Sequence, residues 1–430
     1  MSAVRNEYHS SFYPSQRLQK LIRRSQELAA SGRRNLYTAD STQLVYHWTD
    51  KANGIVPQTG EWSSPKETSY SLGDHACRVD IGIDFPFYEQ VPSHLEGYEA
   101  TPLSWAKDYA FLLQHSPAEI YHDEIIVGEF HWEMNEVRKY YFGDNVHELG
   151  REVRKLGAGG TSHGHTCLDL SIGLEQGWGG IMARIEESLS LFTRLEETNK
   201  VQYLSGLKLI CQAIMDFIDK HSKAAYELAQ KSVNPEEKKH YLKIAENCKS
   251  IVYDAPKTYC QAVQWIHFAI LTDRIVGHGN GYGRLDLYLN SFLERDLETG
   301  ELSLQDAREY LAEMFLKVRG QHFSIRGRLR DGRDATNQMS RVILETYDMV
   351  DDYNNLFLLW HPDIDQDLFL YACDVLARHG AGVPTLCNYD LFVDCELRSG
   401  VSMDDAWRVA IGGCQWFSIP GREYCDQDVN

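Results

Sequence analysis

Asn355-Leu356-Phe357-Leu358-Leu359-Trp360 and, further on, Val383-Pro384-Thr385-Leu386-Cys387 are short apolar runs bracketing a stretch of helical spacing from Asp365 to Arg378. Such runs are too short for buried helices and show no polar alternation, so each predicts a strand covered on both faces. Strand, helix and second buried strand together imply an α/β architecture with a parallel sheet or barrel. Working back from there, Leu302-Ser303-Leu304-Gln305-Asp306 predicts a capped helix start, because the serine hydroxyl can accept a free amide of the first turn. Tyr259 to Val276 reads as an apolar helix, followed by a Gly-rich turn and another helix through Leu297. Residues 180–250 alternate apolar and charged positions at helical spacing, with Asn234-Pro235-Glu236-Glu237 a helix start, which predicts two long surface helices.

The front of the chain is sparser in signals. Residues 13–34 and 102–115 carry helix-like apolar spacing, separated by a polar Gly/Ser/Thr/Pro-containing stretch at about 50–75. Glu124-Ile125-Ile126-Val127-Gly128-Glu129-Phe130 has the β-branched content of a short strand. The reading divides the chain into a mainly helical segment, 1–116, and an α/β domain, 117–430. No internal repeat or low-complexity tract interrupts it.

Composition narrows the function. With 430 residues, of which 43% are hydrophobic, the chain can bury a substantial core. A formal charge of −19 argues against a phosphate-backbone binder and favours a small molecule or a protein as partner. No apolar run is long enough to span a bilayer and the start has no signal-peptide pattern, which predicts a cytoplasmic protein. The ten cysteines contain no Cys-x-x-Cys pair and no zinc-type spacing, so neither a disulfide framework nor a metal is expected. Cys77, Cys211, Cys248 and Cys373 read as inert packing residues.

One cysteine differs. Ile411-Gly412-Gly413-Cys414-Gln415 places a thiol between a small-residue approach and a Pro420-Gly421 turn, so Cys414 reads as presented on a loop. Cysteine suits nucleophilic attack as thiolate and, through its weak S–H bond, hydrogen-atom transfer. A Cys-His hydrolase is the generic rival reading, although no partner lies near in sequence. Ser162-His163-Gly164-His165-Thr166-Cys167-Leu168-Asp169 gathers two histidines, a thiol and a carboxylate. The His-x-His spacing is weak as a metal signature, and His165 reads better as a pocket-lining residue. Gly277-His278-Gly279-Asn280-Gly281-Tyr282-Gly283-Arg284-Leu285-Asp286 imitates a dinucleotide loop, but it follows a helix where a phosphate-binding turn should follow a strand. It reads instead as a loop bringing backbone close to a substrate or a neighbouring strand, with Arg284 and Asp286 paired.

Taken in order, several stretches resemble the glycyl radical enzymes of the pyruvate formate-lyase-like family. They are Gly164-His165-Thr166 with Asp169, Pro256-Lys257-Thr258-Tyr259, Gly283-Arg284-Leu285-Asp286 with Glu294-Arg295-Asp296-Leu297, Asp331-Gly332-Arg333-Asp334-Ala335-Thr336-Asn337, and Gly400-Val401-Ser402 through Ile411. The resemblance covers most of residues 117–430. It implies a barrel of two five-stranded half-barrels surrounded by helices, roughly the first half present here, with Cys414 on a loop crossing its centre. It further implies that a glycyl radical in a C-terminal loop takes a hydrogen atom from Cys414, and that the thiyl radical cleaves a carbon–carbon or carbon–heteroatom bond of a small polar substrate. A radical SAM activating enzyme and a homodimer follow as partners; bound metal, nucleotide, nucleic acid and membrane do not.

By motif position, His165 and Asp428 carry over as substrate-binding residues, and Gln415 and Trp416, next to the thiol, are expected to bind substrate as well. The chain departs from the family at Trp416, where the dehydratase-like branch has a glutamate, and at Gly413 and Gln415, where the formate-lyase branch has a second adjacent cysteine. Trp416 cannot accept a proton, so an acid or base must come from elsewhere. Nothing up to Val429-Asn430 resembles the glycyl-radical motif, so the resemblance implies that this chain alone is inactive. Two further readings fit the same residues: formate acetyltransferase-like acyl transfer, and a catalytically silent half-barrel partner protein.

Overall fold

The computed structural model describes residues 12–30, 87–96, 101–129, 131–132, 134, 161–163, 166–276, 280–318, 321–350, 354–380, 382–413, 416–423 and 427–429. At its centre lie four parallel strands, β2 (Gly281–Arg284), β3 (His322–Arg326), β4 (Asn355–Trp360) and β5 (Thr385–Asn388), paired in that order. Residues 166–168 take a fifth place: Gly281 N–H donates to Thr166 O (2.9 Å) and Leu168 N–H to Gly281 O (3.1 Å), a parallel bridge on the open side of β2. The α/β expectation therefore holds, and the strands predicted at Asn355–Trp360 and around Thr385–Cys387 are β4 and β5.

Helices supply the crossovers. Before the sheet come α1 (Gln16–Ala30), α2 (Pro92–Glu96), α3 (Pro102–His115), α4 (Leu170–Arg194), α5 (Thr198–Lys231), α6 (Pro235–Ser250) and α7 (Tyr259–Arg274). Between and after its strands run α8 (Leu285–Glu298), α9 (Leu304–Lys317), α10 (Gln338–Val350), α11 (Gln366–His379), α12 (Tyr389–Arg398) and α13 (Met403–Ala406). Several starts are those the sequence predicts. Ser303 caps α9 by accepting the Asp306 amide (3.1 Å), and Asn234 caps α6 by accepting the Glu236 amide (3.0 Å). Among the described residues no helix is long and apolar enough to cross a membrane.

Three expectations need correction. The Gly-rich stretch before Leu285 is not only a turn, since Gly281–Arg284 forms β2; neighbours on both sides override the poor strand propensity of glycine. Glu124–Glu129 is not a strand, and Phe130 lies outside the described residues. There the Gln264 side chain replaces a strand partner, accepting Val127 N–H and donating to Val127 O (both 2.8 Å), while His267 Nε2 donates to Gly128 O. Finally, residues 180–250 hold parts of three helices. One face of α5 is core, with Cys211, Ile214, Phe217, Ile218 and Ala225 buried, so it is not a surface helix.

The strand periodicity sorts side chains into two layers. Phe323, Ile325, Leu356 and Leu358 point outward into the main core with Leu285, Leu289, Phe315, Met339, Ile343 and Leu368. Phe357, Leu359 and Cys387 point the other way and form a separate cluster with Tyr389, Val409 and Ile411. Each fully buried aliphatic or aromatic side chain contributes about 1.5–3 kcal/mol of transfer free energy.

Candidate active site

The inner cluster is closed by a hairpin. Its strands β6 (Ala410–Ile411) and β7 (Phe417–Ser418) pair antiparallel, Ala410 with Ser418 and Ile411 with Phe417. Gly412 N–H donates to Trp416 O (2.8 Å), which pins the two ends of the tip. Cys414 and Gln415 belong to that tip by sequence and lie outside the described residues. Ile411, Gly412 and Gly413 are buried, whereas Trp416 is 53% exposed.

Two contacts seat the hairpin on the sheet. Ile411 N–H donates to Ser324 Oγ (2.9 Å), a fully buried hydroxyl on the inner side of β3. At Gly281 a β-carbon would stand 2.2 Å from Ile411 O and 2.6 Å from Gly412 Cα. Both obstacles are backbone, so only glycine lets β2 and the hairpin meet. This is the close backbone approach that the Gly-rich stretch predicts.

The segment carrying His165 reaches the same place. Strand β1 (Thr161–His163) pairs antiparallel with β8 (Gln427–Val429), Ser162 opposite Asp428. Residues 166–168 then bind β2 at Gly281, and Thr166 N–H donates to Asn280 Oδ1 (3.0 Å). His165 itself lies outside the described residues, and Asp428 is described by its backbone. The chain segments of His165, Asp428 and Cys414 thus converge, two of them on Gly281 and the third on β1. Among the described residues no group of three or more His, Cys, Asp or Glu is arranged to hold a metal ion.

The motif residues around this point bind backbone. Arg284 and Asp286 do not form an ion pair with each other, because each has partners that fit better. Arg284, fully buried, donates to the carbonyls of Arg326 (3.0 Å), Arg328 (2.7 Å) and Trp407 (3.0 Å), tying the ends of β2 and β3 to the approach of the hairpin. Asp286 accepts Arg326 N–H (2.8 Å) and the Ser340 hydroxyl (2.5 Å). Burial pushes the Asp286 carboxyl above its ordinary range and the Arg284 guanidinium below its own. Asp334 of the Asp-Gly-Arg-Asp segment accepts from Thr336 and from Asp365 N–H (2.9 Å), ordering the loop beyond β3.

Asp169 caps α4 by accepting Ser171 N–H (3.2 Å) and forms an ion pair with Arg408, four residues before Gly412. Sequence reasoning passed over Arg408 and Ser324. Ser324 could have been found from the period-2 pattern of His322-Phe323-Ser324-Ile325-Arg326, where a small polar residue stands on the side opposite two apolar ones. Arg408 carries no comparable local pattern. The thiol of Cys387 in β5 is pushed up to about 11 by burial, as is that of Cys211, which agrees with packing roles. A cavity lined by Arg24, Glu124, Glu129, Glu313 and Lys317 lies beneath α1. Its charges are already matched, Lys317 with Glu124 at 3.1 Å and Arg17 with Glu313 at 2.7 Å, and it shares no residue with the hairpin.

A family profile described as pyruvate formate lyase-like matches residues 132–426. Among curated relatives, the isethionate sulfite-lyase of Bilophila wadsworthia is 24% identical over 288 residues, covering 59% of this chain and 34% of the relative. The probable dehydratase YbiW of Escherichia coli is 28% identical over 286 residues, covering 60% and 35%. Trans-4-hydroxy-L-proline dehydratase of Clostridioides difficile is 27% identical over 269 residues, covering 56% and 34%. The chain spans about a third of the length of these relatives. Among solved structures, the glycerol-bound B12-independent glycerol dehydratase of Clostridium butyricum superposes with a TM-score of 0.65 at 20% identity, covering 78% of this chain and 52% of that one. A glycyl radical enzyme of Archaeoglobus fulgidus gives 0.68 at 18% identity, covering 79% and 53%. The sheet and its helices have the fold of part of that barrel.

Proposed function

We propose, because the chain belongs to the pyruvate formate lyase-like family, that it is the cysteine-hairpin portion of a cytoplasmic radical lyase that breaks a carbon–carbon or carbon–heteroatom bond of a small polar substrate. The observation that carries this reading is the seating of the hairpin: a buried approach, Ile411 to Gly413, held against the inner side of a parallel sheet by Ser324 and Gly281. A glycyl radical, installed by a radical SAM activating enzyme, would supply the means of accepting a hydrogen atom. Cys414 gives up that atom from Sγ, takes one from a substrate carbon, and returns it once the bond has broken. His165 and Asp428 hold the substrate in orientation, and Gln415 and Trp416 contribute to binding it. Burial of the hairpin root supports this, since radicals need a site closed to water and reductants.

The Trp416 indole cannot accept a proton and does not give one up at ordinary pH, so Asp428 or His165 supplies any acid or base the reaction needs. In the completed, activated enzyme, a homodimer on this reading, Cys414→Ser leaves the glycyl radical visible by paramagnetic resonance and abolishes turnover, because an alcohol O–H is too strong to pass the hydrogen atom on. Substantial turnover by that variant overturns the thiyl mechanism.

A further inference from the structure

The segment that leads out of His165 and the segment that leads into Cys414 come from distant parts of the chain, 239 residues apart at their point of ionic contact. Their mutual register needs a link specific to these two. Gly421 N–H donates to Cys167 O (2.8 Å), but from the chain that leaves the tip rather than the one that leads into it. Gly281 bridges to residues 166–168 and abuts the Ile411–Gly412 backbone, which ties each segment to β2 and not to the other. Among the described residues one ion pair joins them, Arg408 Nη2 to Asp169 Oδ2.

We infer that the Asp169–Arg408 pair is the positioning element that holds the His165 segment and the Cys414 hairpin in register. Three features suit it to that role. Asp169 cannot rotate freely, because its other carboxylate oxygen caps α4 through Ser171 N–H. Arg408 stands in the tight turn between α13 and β6, where its own amide donates to Asp405 O (2.9 Å), so a displacement at its guanidinium moves the strand that leads to the tip. The pair is also sheltered: the two side chains are 10% and 23% exposed, against 66% and 71% for the Arg330–Asp404 pair on the surface. A sheltered pair is screened far less by salt and solvent than an exposed one. Gly421 roofs it, since a β-carbon there would come within 2.8 Å of Asp169 Cβ, and its φ of +70° favours glycine. Tyr288 closes a further side, its phenol pushed upward by burial and by Cys167 and Asp169, and drawn back by Arg408.

The catalytic value of this register rests on the reading of Cys414 given above; the register itself does not, and the full chain tests it directly. Asp169→Asn keeps an oxygen for the cap and removes the charge, and Arg408→Gln removes the other charge. In each variant hydrogen exchange at Leu168, Ile411, Gly412 and Gly421 speeds up together, by about tenfold, while Leu358 in β4 keeps its protection. The double variant is no faster than either single one, because both break the same link. Alkylation of Cys414 changes in the same variants, that of Cys395 on α12 does not, and Arg408→Lys restores part of the wild-type rate. Faster exchange confined to the first turn of α4, effects that multiply in the double variant, or protection lost equally at Leu358 would each overturn the proposal. Should Arg408→Gln fail to fold, Asp169→Asn decides the matter alone. Retained turnover in Cys414→Ser would instead count against the thiyl reading and leave the register untouched.

Discussion

Leu358 and Leu359 are neighbours in β4, and neither exposes any surface, yet different parts of the chain bury them. Leu358 faces a layer built from α8 to α11, elements that precede or follow it closely and pack on one another as well as on the sheet. Leu359 faces a small cluster from the hairpin, its approach, β5 and the start of α12. The outer face has redundant cover. The inner face depends on a hairpin whose strands are two residues each, so the side on which the proposed chemistry falls is the side whose order is conditional.

The largest test of that contrast exchanges the two leucines for alanine. Leu358→Ala should destabilise the chain by about 3–5 kcal/mol, because a rigid layer cannot collapse into the gap, and Leu359→Ala by about 2–3 kcal/mol, because the hairpin can settle. Denaturant unfolding measures both. If Leu359→Ala proves as damaging as Leu358→Ala and leaves exchange at Ile411 unchanged, the two faces are not separate layers.

Acid separates the regions next. His221 in α5 and His267 in α7 belong to the outer helical layer, and burial pushes both down to about 3. The unfolded chain binds protons at these sites below its ordinary value of about 6.5 while the folded chain does not, so stability is full above that value and falls with the pH. Each histidine removes up to ~1.4 kcal/mol per pH unit below it. Unfolding free energy that stays level from pH 7 to pH 5 would sink this account, and His267→Gln should flatten the slope.

A smaller effect belongs to the inner face. Ser324→Ala leaves the Ile411 amide buried without its acceptor and should cost about 1–2 kcal/mol, read as faster exchange at Ile411 and Gly412 with the outer core unaffected. Equal protection in the variant would show that the hairpin is seated by packing alone.

The smallest runs in the opposite direction on the pH axis. Glu396 on α12 is raised to about 7, first by burial and then by Glu423, whose carboxylate also accepts Ile419 N–H at 2.8 Å beyond β7. A carboxyl raised in the folded state lends stability that is complete below its unfolded value and disappears as the pH rises through about 7. Exchange at Ile419 should therefore rise with pH more steeply than the intrinsic rate, and Glu396→Gln should remove the excess. A Glu396→Gln profile identical to wild type would mean that the two carboxyls do not share a proton.

These faces differ in how far they can be read from the chain. β4, β5 and the capped helices are written in local pattern: apolar runs, an Asn-Pro start, a serine three residues before an aspartate. β2 is not, because Gly281 and Gly283 have poor strand propensity and are in place only because the hairpin and Tyr288 press against them. Glu124–Glu129 has the composition of a strand, but its hydrogen-bonding partners are side chains far off in sequence, among them a glutamine 137 residues away, which no local pattern encodes. For the site, collinear motifs pointed to Cys414, and pairing of β1 with β8 brings the expected His165 and Asp428 segments toward one another. Arg408 and Ser324 stayed hidden, since their roles consist of contacts with residues far away in sequence.

The 239-residue interval between Asp169 and Arg408 also sets a timetable. A ribosome adding about 5–20 residues per second delivers Arg408 some 12–48 s after Asp169. During that interval the helices behind β4 can close over Leu358 as they emerge, and β5 and the start of α12 can reach Phe357 and Leu359, but the hairpin that completes their cover has not yet been made. The apolar inner face of the sheet thus leaves water later than the outer one during synthesis, and it is there that a nascent chain offers chaperones a foothold.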